Sequence, residues 1–298
     1  MVKRIIFGFY DSYIEEVKLG NSNEELPLAG KNAWITGSSR GIGRVIAEHL
    51  AGQGASVAVH GTGPRSTRAF DEAESLQAVA DSIAEEKDAR VISVWGDLTK
   101  PKVVEENVSE IQEEFEQIDI LVNCAGGDIG SGGTSAPKGG KPPGNDAVNI
   151  SVEDIRAVLD RNLMTCILCS RQVAPAMMER ESGWIVNIGS IAGLRGRGHS
   201  AIYATAKAGV HQYSRCLADM MRPYNVRVNV VAPGEIVTPR FKASREIDEG
   251  RVERAGSLEA YGRPIDVART VGFLLTEDSN YITGQVIRVD GGVQCWPA

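Results

Sequence analysis

Three absences bound the reading of this chain before any motif is considered. No apolar run among the 298 residues approaches the roughly 20 needed to span a bilayer, so no membrane partner is expected. Basic residues are in deficit: 32 Lys and Arg stand against 39 Asp and Glu, for a net charge of -7. That balance argues against a nucleic acid as the main partner, because such binding usually needs a basic face. Cysteine is sparse, with five in all, which fits a reducing compartment. Cys166 and Cys169 form one C-x-x-C with no second pair. Their expected place inside a helix favours packing over redox or metal chemistry, and no metal site is expected. The opening stretch, Met1 to Tyr10, runs into Asp11, Glu15 and Glu16. It lacks a signal-peptide core and a small-residue cleavage site, so a cytoplasmic protein is expected.

What is present is an alternation of short apolar strands and amphipathic helices. Residues 1–28 read as an amino-terminal extension, and regular structure begins at Asn32–Thr36. Strands are expected at 56–60, 90–95, 119–123, 184–188, 227–231 and 285–289, and helices at 41–52, 71–86, 101–116, 151–180, 201–222 and 264–276. Continuous apolar strands suit a parallel sheet covered by helices on both faces. With no composition break, residues 29–298 are expected to form one doubly wound α/β domain of Rossmann type, its ligand site beyond the carboxyl ends of the strands. The Gly/Pro/Ser-rich stretch from Gly126 to Asn149 is long for a connection inside such a domain, and is expected to be functional or disordered.

Thr36-Gly37-Ser38-Ser39-Arg40-Gly41-Ile42-Gly43 joins the first strand to the first helix. Glycines there allow a tight turn, a close approach of backbone to a pyrophosphate, and close helix–strand packing. Free amides at the helix start favour an anion. At the end of the second strand, where NAD-selective folds carry an acid for the ribose, the sequence reads His60-Gly61-Thr62-Gly63-Pro64-Arg65. The missing carboxylate, with Arg40, Arg65 and Arg68 nearby, favours the 2′-phosphate of NADP, with NAD as the alternative. Tyr203 and Lys207 lie four residues apart, on one face of an expected helix. An ammonium beside a phenol stabilises its anion and equips it for acid–base work.

Together these motifs resemble the short-chain dehydrogenase/reductase family over about residues 28–295. The turn Thr36–Gly43 matches the family's T-G-x-x-x-G-x-G, and Asp97 its adenine-contacting acid. Asn123-Cys124-Ala125-Gly126 resembles its N-A-G segment, with Cys124 as an insertion or substitution. Ser190 stands 13 residues before Tyr203, Asn162 lies in the long helix, and Pro233-Gly234 with Ile236 and Thr238 matches the carboxamide segment. The usual Ser-Ser pair reads Gly189-Ser190. The resemblance implies a dinucleotide held by Gly37, Ser39, Arg40, Gly41, Ile42 and Gly43. Arg65, Asp97 and Leu98, then Asn123, Ala125 and Gly126, then Pro233, Gly234, Ile236 and Thr238 would complete its site. It also implies that Tyr203 exchanges a proton with the carbonyl or alcohol oxygen and that Ser190 positions that oxygen. Lys207 would bind the ribose and tune Tyr203, and Asn162 would hold a water. Relatives are usually tetramers, so a homotetramer is expected.

Three segments are expected to border the substrate: the 126–149 loop, the stretch Ile191–Ala201 with Arg195, Arg197 and His199, and the stretch after Thr238 with Arg240, Lys242 and Arg245. Few aromatic or long apolar side chains occur there. That favours a small polar substrate (sugar, polyol or hydroxy acid), with Arg195 and Arg240 as candidate contacts to an anion beside Ser190 and Tyr203. Reduction of a 3-oxoacyl thioester is the enzymatic alternative. A non-catalytic dinucleotide-binding regulator is the alternative from another class, disfavoured by the intact Ser190, Tyr203, Lys207 and Asn162.

Overall fold

The computed structural model describes residues 26–296; most of the expected amino-terminal extension, residues 1–25, lies outside them. The seven strands are β1 (Asn32–Thr36), β2 (Ser56–Gly61), β3 (Val91–Trp95), β4 (Ile120–Asn123), β5 (Gly183–Ile188), β6 (Val226–Pro233) and β7 (Val286–Val289). They form one parallel sheet in the order β3-β2-β1-β4-β5-β6-β7. Strand order reverses between β1 and β4, which opens a crevice above their carboxyl ends.

The intervening helices are α1 (Gly41–Gly52), α2 (Leu76–Lys87), α3 (Pro101–Phe115), α4 (Val152–Leu159), α5 (Thr165–Glu179), α6 (Ala201–Met221), α7 (Pro239–Ser244), α8 (Glu249–Glu253) and α9 (Pro264–Phe273). Two apolar layers follow from the alternation of strand side chains. One packs Ile35, Val57, Val59 and Val122 against Ile46, Leu50, Ile83 and Val271; the other packs Trp34, Leu121, Ile185 and Val228 against Ile111, Val173, Met177 and Leu217.

Two expected helices differ in detail. The helix expected from residue 71 starts only at Leu76, where the Ser75 side chain accepts the Ala78 N–H as a cap. Before it, Ser66–Phe70 form a 3-10 turn and Asp71 takes a left-handed conformation, φ 55°. The helix expected over 151–180 is continuous but for a π turn at Asp160–Met164, between α4 and α5.

A buried histidine fixes the top of the crevice. His60, at the end of β2, accepts the Gly37 N–H at Nδ1 (3.2 Å) and donates from Nε2 to Gly96 O (3.1 Å). Acceptance at Nδ1 requires the neutral ring, and burial holds its pKa down at about 4, against an opposing pull from the Gly96 hydrogen bond and Asp97. In the unfolded chain the ring protonates near pH 6.5. The unfolded state therefore binds the extra proton as pH falls, and stability present above pH 6.5 is lost toward pH 4. Between those limits His60 should contribute a slope of roughly 1.4 kcal/mol per pH unit. His60→Gln, which keeps one donor and one acceptor, should flatten the pH dependence of urea unfolding by about one proton. Equal slopes in the two proteins would refute the role given to His60.

Candidate active site

Chain connectivity brings the lips of the crevice into direct backbone contact. Thr36 Oγ1, at the end of β1, accepts the N–H groups of Cys124 and Ala125, each at 3.0 Å. A Cβ at Gly37 would lie 2.7 Å from Ala125 Cα, and φ there is +68°. Only glycine fits that approach. At Gly43 a Cβ would lie 2.5 Å from Gly37 O, so the first turn of α1 must also be bare.

Above this contact lies a cleft of about 500 Å³, within the usual range for small-molecule sites. The glycine turn forms one end, with Gly37, Ser39, Arg40, Gly41, Ile42 and Gly43 all in its wall. Asp97 and Leu98 after β3, Ala125 and Gly126 after β4, Pro233 at the end of β6, and Gly234, Ile236 and Thr238 beyond it continue the wall. Ser190, Arg195, Tyr203, Lys207 and Arg240 line the other end.

Three expected residues fall elsewhere. Arg65 is exposed and outside the wall, although the next residue, Ser66, lines the cleft and accepts from Arg40. Its neighbour Arg68 is occupied by Glu74 O. Asn123 is buried below the cleft, where its amide bonds Ser170 and Asn187 across the sheet. Asn162 is 1% exposed, and its side chain is spent on the loop: it accepts from Gly127 N and donates to Gly127 O and Val158 O. Its amide thus clamps the backbone after β4. The helix forms a π turn there, a feature frequent at functional sites.

Two carboxylate- and imidazole-bearing residues escaped the sequence reading. Glu72, far beyond β2 in sequence, returns to the glycine turn. Its Oε2 accepts the Gly41 N–H at 2.8 Å and its charge faces Arg40. Arg40 in turn donates to Ser66 O and covers the Phe70 ring at 5.3 Å. The second is His211, one helical turn beyond Lys207 and two beyond Tyr203 on α6. Its Nε2 accepts the Ser190 N–H at 3.3 Å. Burial, then Lys207 and Arg215, hold its pKa at about 4, so it stays the neutral acceptor this bond needs. No spacing rule signals a contact between a strand end and a helix 21 residues later.

His211 also accounts for Gly189. A Cβ at that position would sit 2.3 Å from His211 Nε2 and 2.7 Å from Val230 Cγ1. Lys207 is 5% exposed, donates to Ile188 O at 2.7 Å, and lies 5.8 Å from the centre of the Tyr203 ring. Ser190 Oγ accepts the Ala192 N–H at 3.1 Å, capping the 3-10 segment Ile191–Leu194, and Ser190 lines the cleft. Cys124 also lines the cleft, but burial pushes its thiol up to about 11, so it is no thiolate nucleophile. Cys166 and Cys169 pack inside α5, and burial raises both thiols, Cys166 to about 12.

Residues 37–294 match the family model described as enoyl-(acyl carrier protein) reductase. A cyclohexanol dehydrogenase of Rhodococcus sp. (strain TK6) is 37% identical over 276 residues, covering 91% of this chain and 98% of the relative. The chain belongs to the short-chain dehydrogenase/reductase family. As a short-chain dehydrogenase/reductase it is an oxidoreductase, and its sheet is the Rossmann type expected. A 3-oxoacyl-(acyl-carrier-protein) reductase of Chlamydia trachomatis serovar D is 34% identical over 269 residues, covering 89% of this chain and 98% of the relative. Among solved structures, a short chain dehydrogenase from Burkholderia cenocepacia J2315 in complex with NADP superposes with a TM-score of 0.72. It is 30% identical, covering 89% of this chain and 98% of that one.

The Gly189–His211 contact gives a direct test. Gly189→Ser should overpack against the imidazole, displace Ser190 and cut kcat by about tenfold or more. Adding His211→Ala should recover part of that loss by making room. A double variant no better than the single one would show that the steric account is wrong.

Proposed function

We propose that the protein interconverts a secondary alcohol and a ketone on a small polar substrate, with NADP as its redox partner. One observation carries this reading: Ser190, Tyr203 and the buried Lys207 meet at one end of a cleft whose other end is a bare glycine turn at a helix start. The turn fits a dinucleotide because Gly37 and Gly43 permit the close backbone approach it needs at a helix start, while Glu72 holds the Gly41 amide and would have to yield it to a pyrophosphate. Arg40 and Ser39 would face the adenosine end and favour a 2′-phosphate. Glu72 beside Arg40 narrows that preference by opposing a second anion. The relative solved with NADP supports the same choice.

When bound, the nicotinamide supplies or accepts the hydride. The chain's own residues do the rest. Ser190 Oγ holds the reacting oxygen. Tyr203 gives that oxygen a proton in reduction and takes it back in oxidation. Lys207, anchored on Ile188 O, sets a positive charge beside Tyr203 and stabilises the phenolate left after proton donation. Asn162 keeps the strip after β4 in place.

The substrate end favours a polar molecule over a long acyl chain. Its wall carries Arg195, Arg197, Arg240 and Arg245, beside the apolar Ile129, Ile191, Phe241 and Val293. A 3-oxoacyl thioester, suggested by the relatives of that activity, remains the enzymatic rival, and a substrate panel separates the two. Tyr203→Phe should bind NADPH as tightly as the wild type, and more tightly than NADH, while turnover falls by at least about 100-fold. Retained turnover would refute the role of Tyr203; tighter NADH binding would reverse the cofactor assignment.

We further propose a homotetramer packed through α4, α5 and α6. No helix among the described residues is long and apolar enough to cross a membrane, yet Val152 and Met220 on these helices, and Met164 in the π turn between α4 and α5, are exposed. Sedimentation velocity should give a species of four chains, and a monomer would exclude it.

A further inference from the structure

The long stretch from Gly126 to Asn149 is folded over the substrate end, and one guanidinium holds it there. Arg240, in the first turn of α7, donates from Nε to Gly139 O (3.0 Å) and from Nη2 to Asp128 O (2.7 Å). The loop closes on itself through Gly130 N–H to Gly140 O (2.9 Å), and the Asp154 carboxylate binds Ser131 N–H and Oγ–H. Asp128, in the same loop, takes Asn145 and Ser200 at its Oδ2, which ties the loop to the residue that precedes α6.

The third nitrogen of Arg240 is left over. Nη1 lies above Gly127, where an added Cβ would sit 3.4 Å away, and it has no hydrogen-bond partner among the described residues. Arg240 also makes no ion pair among them. By contrast, Arg245 is paired with Glu235 at 3.1 Å and Arg197 bonds His199 at 2.7 Å. Arg240 lines the cleft together with Tyr203 and Ser190. Burial lowers its pKa from the ordinary guanidinium value; Tyr203 and then Asp128 oppose that shift, and Arg40 and Arg245 add to it. A guanidinium with two donors fixed on backbone carbonyls and one turned to a cleft is positioned to bind an anion.

We propose that Arg240 binds a carboxylate of the substrate, so that the molecule oxidised or reduced at Tyr203 is a short hydroxy or oxo acid. This rests on the alcohol–ketone reading of the same cleft and narrows its substrate class. In the oxidative direction the carbinol C–H bond breaks and its electron pair leaves as hydride to oxidised NADP. The hydroxyl proton passes to Tyr203 as its phenolate, and the carbon becomes a ketone while the carboxylate stays bound and unchanged. The Arg195 side chain in the wall adds a second positive charge at the cleft mouth.

The test compares 2-hydroxybutyrate and 3-hydroxybutyrate with their carboxamides, using wild type, Arg240→Gln and Arg240→Lys with NADP. Wild type should prefer at least one acid over its amide. Arg240→Gln should reduce the acid-to-amide ratio of kcat/KM by at least about 30-fold, the loss of a charge-assisted hydrogen bond. Arg240→Lys loses the two-carbonyl brace but keeps the charge, and should retain much of the ratio; a role confined to bracing the loop would affect acid and amide alike. The same acids, titrated into the NADP-bound protein by calorimetry, should bind wild type more tightly than Arg240→Gln. Equal acid and amide rates, or a ratio unchanged in Arg240→Gln, would overturn the carboxylate site and leave the alcohol–ketone reading standing. Acid binding that depends on Arg240 without turnover of acid or amide would uphold the site and count against that reading.

Discussion

The site depends on one close approach, that of the turn after β1 to the strip after β4. Thr36 Oγ1 takes two consecutive amides of that strip, and Gly37 lies against Ala125 with no room for a Cβ. Strand order reverses at this point, so the helices that follow β1 and β4 leave on opposite faces of the sheet and the crevice opens between them. Everything that lines the cleft is placed relative to this contact. His60 holds the first lip from the side of β2 and β3, and Asn162 holds the second from the π turn. Both fasten backbone to backbone through a buried side chain with its donors and acceptors matched, which is how a polar group is tolerated in a core.

The second organising feature is a single face of α6. Tyr203, Lys207 and His211 recur every four residues and meet the end of β5 at Ile188, Gly189 and Ser190. Lys207 is anchored on one carbonyl of that strand end, and His211 receives the next amide but one. Close packing leaves no volume for a side chain at Gly189. The departure from the Ser-Ser pair usual in the family is therefore compensated by an imidazole that fills the space and takes a hydrogen bond. Ser190 is held from behind by a neutral ring whose basicity burial has suppressed.

The end of the cleft beside Ser190 and Tyr203 is built differently. There the chain supplies loop backbone and cations alongside a few apolar side chains, and Arg240 serves as both brace and open donor. A long Gly-rich loop has little side-chain surface to bury, so its position has to come from hydrogen bonds to groups on other elements. Asp128, Asp154 and Arg240 provide them.

By itself, the sequence determined the alternation of elements, the glycine turn, and the membership of Ser190, Tyr203 and Lys207 in one site. These are signals of short range or fixed spacing, set by backbone geometry and by a shared helix face. It also carried the cations that line the cleft, but not their states: Arg197 and Arg245 are engaged, and Arg240 is half free. Only the tertiary structure decided that Asn162 spends its amide on Gly127, that Arg65 leaves the cleft, and that Glu72 returns to the glycine turn. It alone paired His211 with Gly189. These contacts join residues whose separation along the chain follows no period. They arise from which strands and helices the packed core brings side by side, and burial then settles which polar groups are charged, which are neutral and which still have a donor to offer.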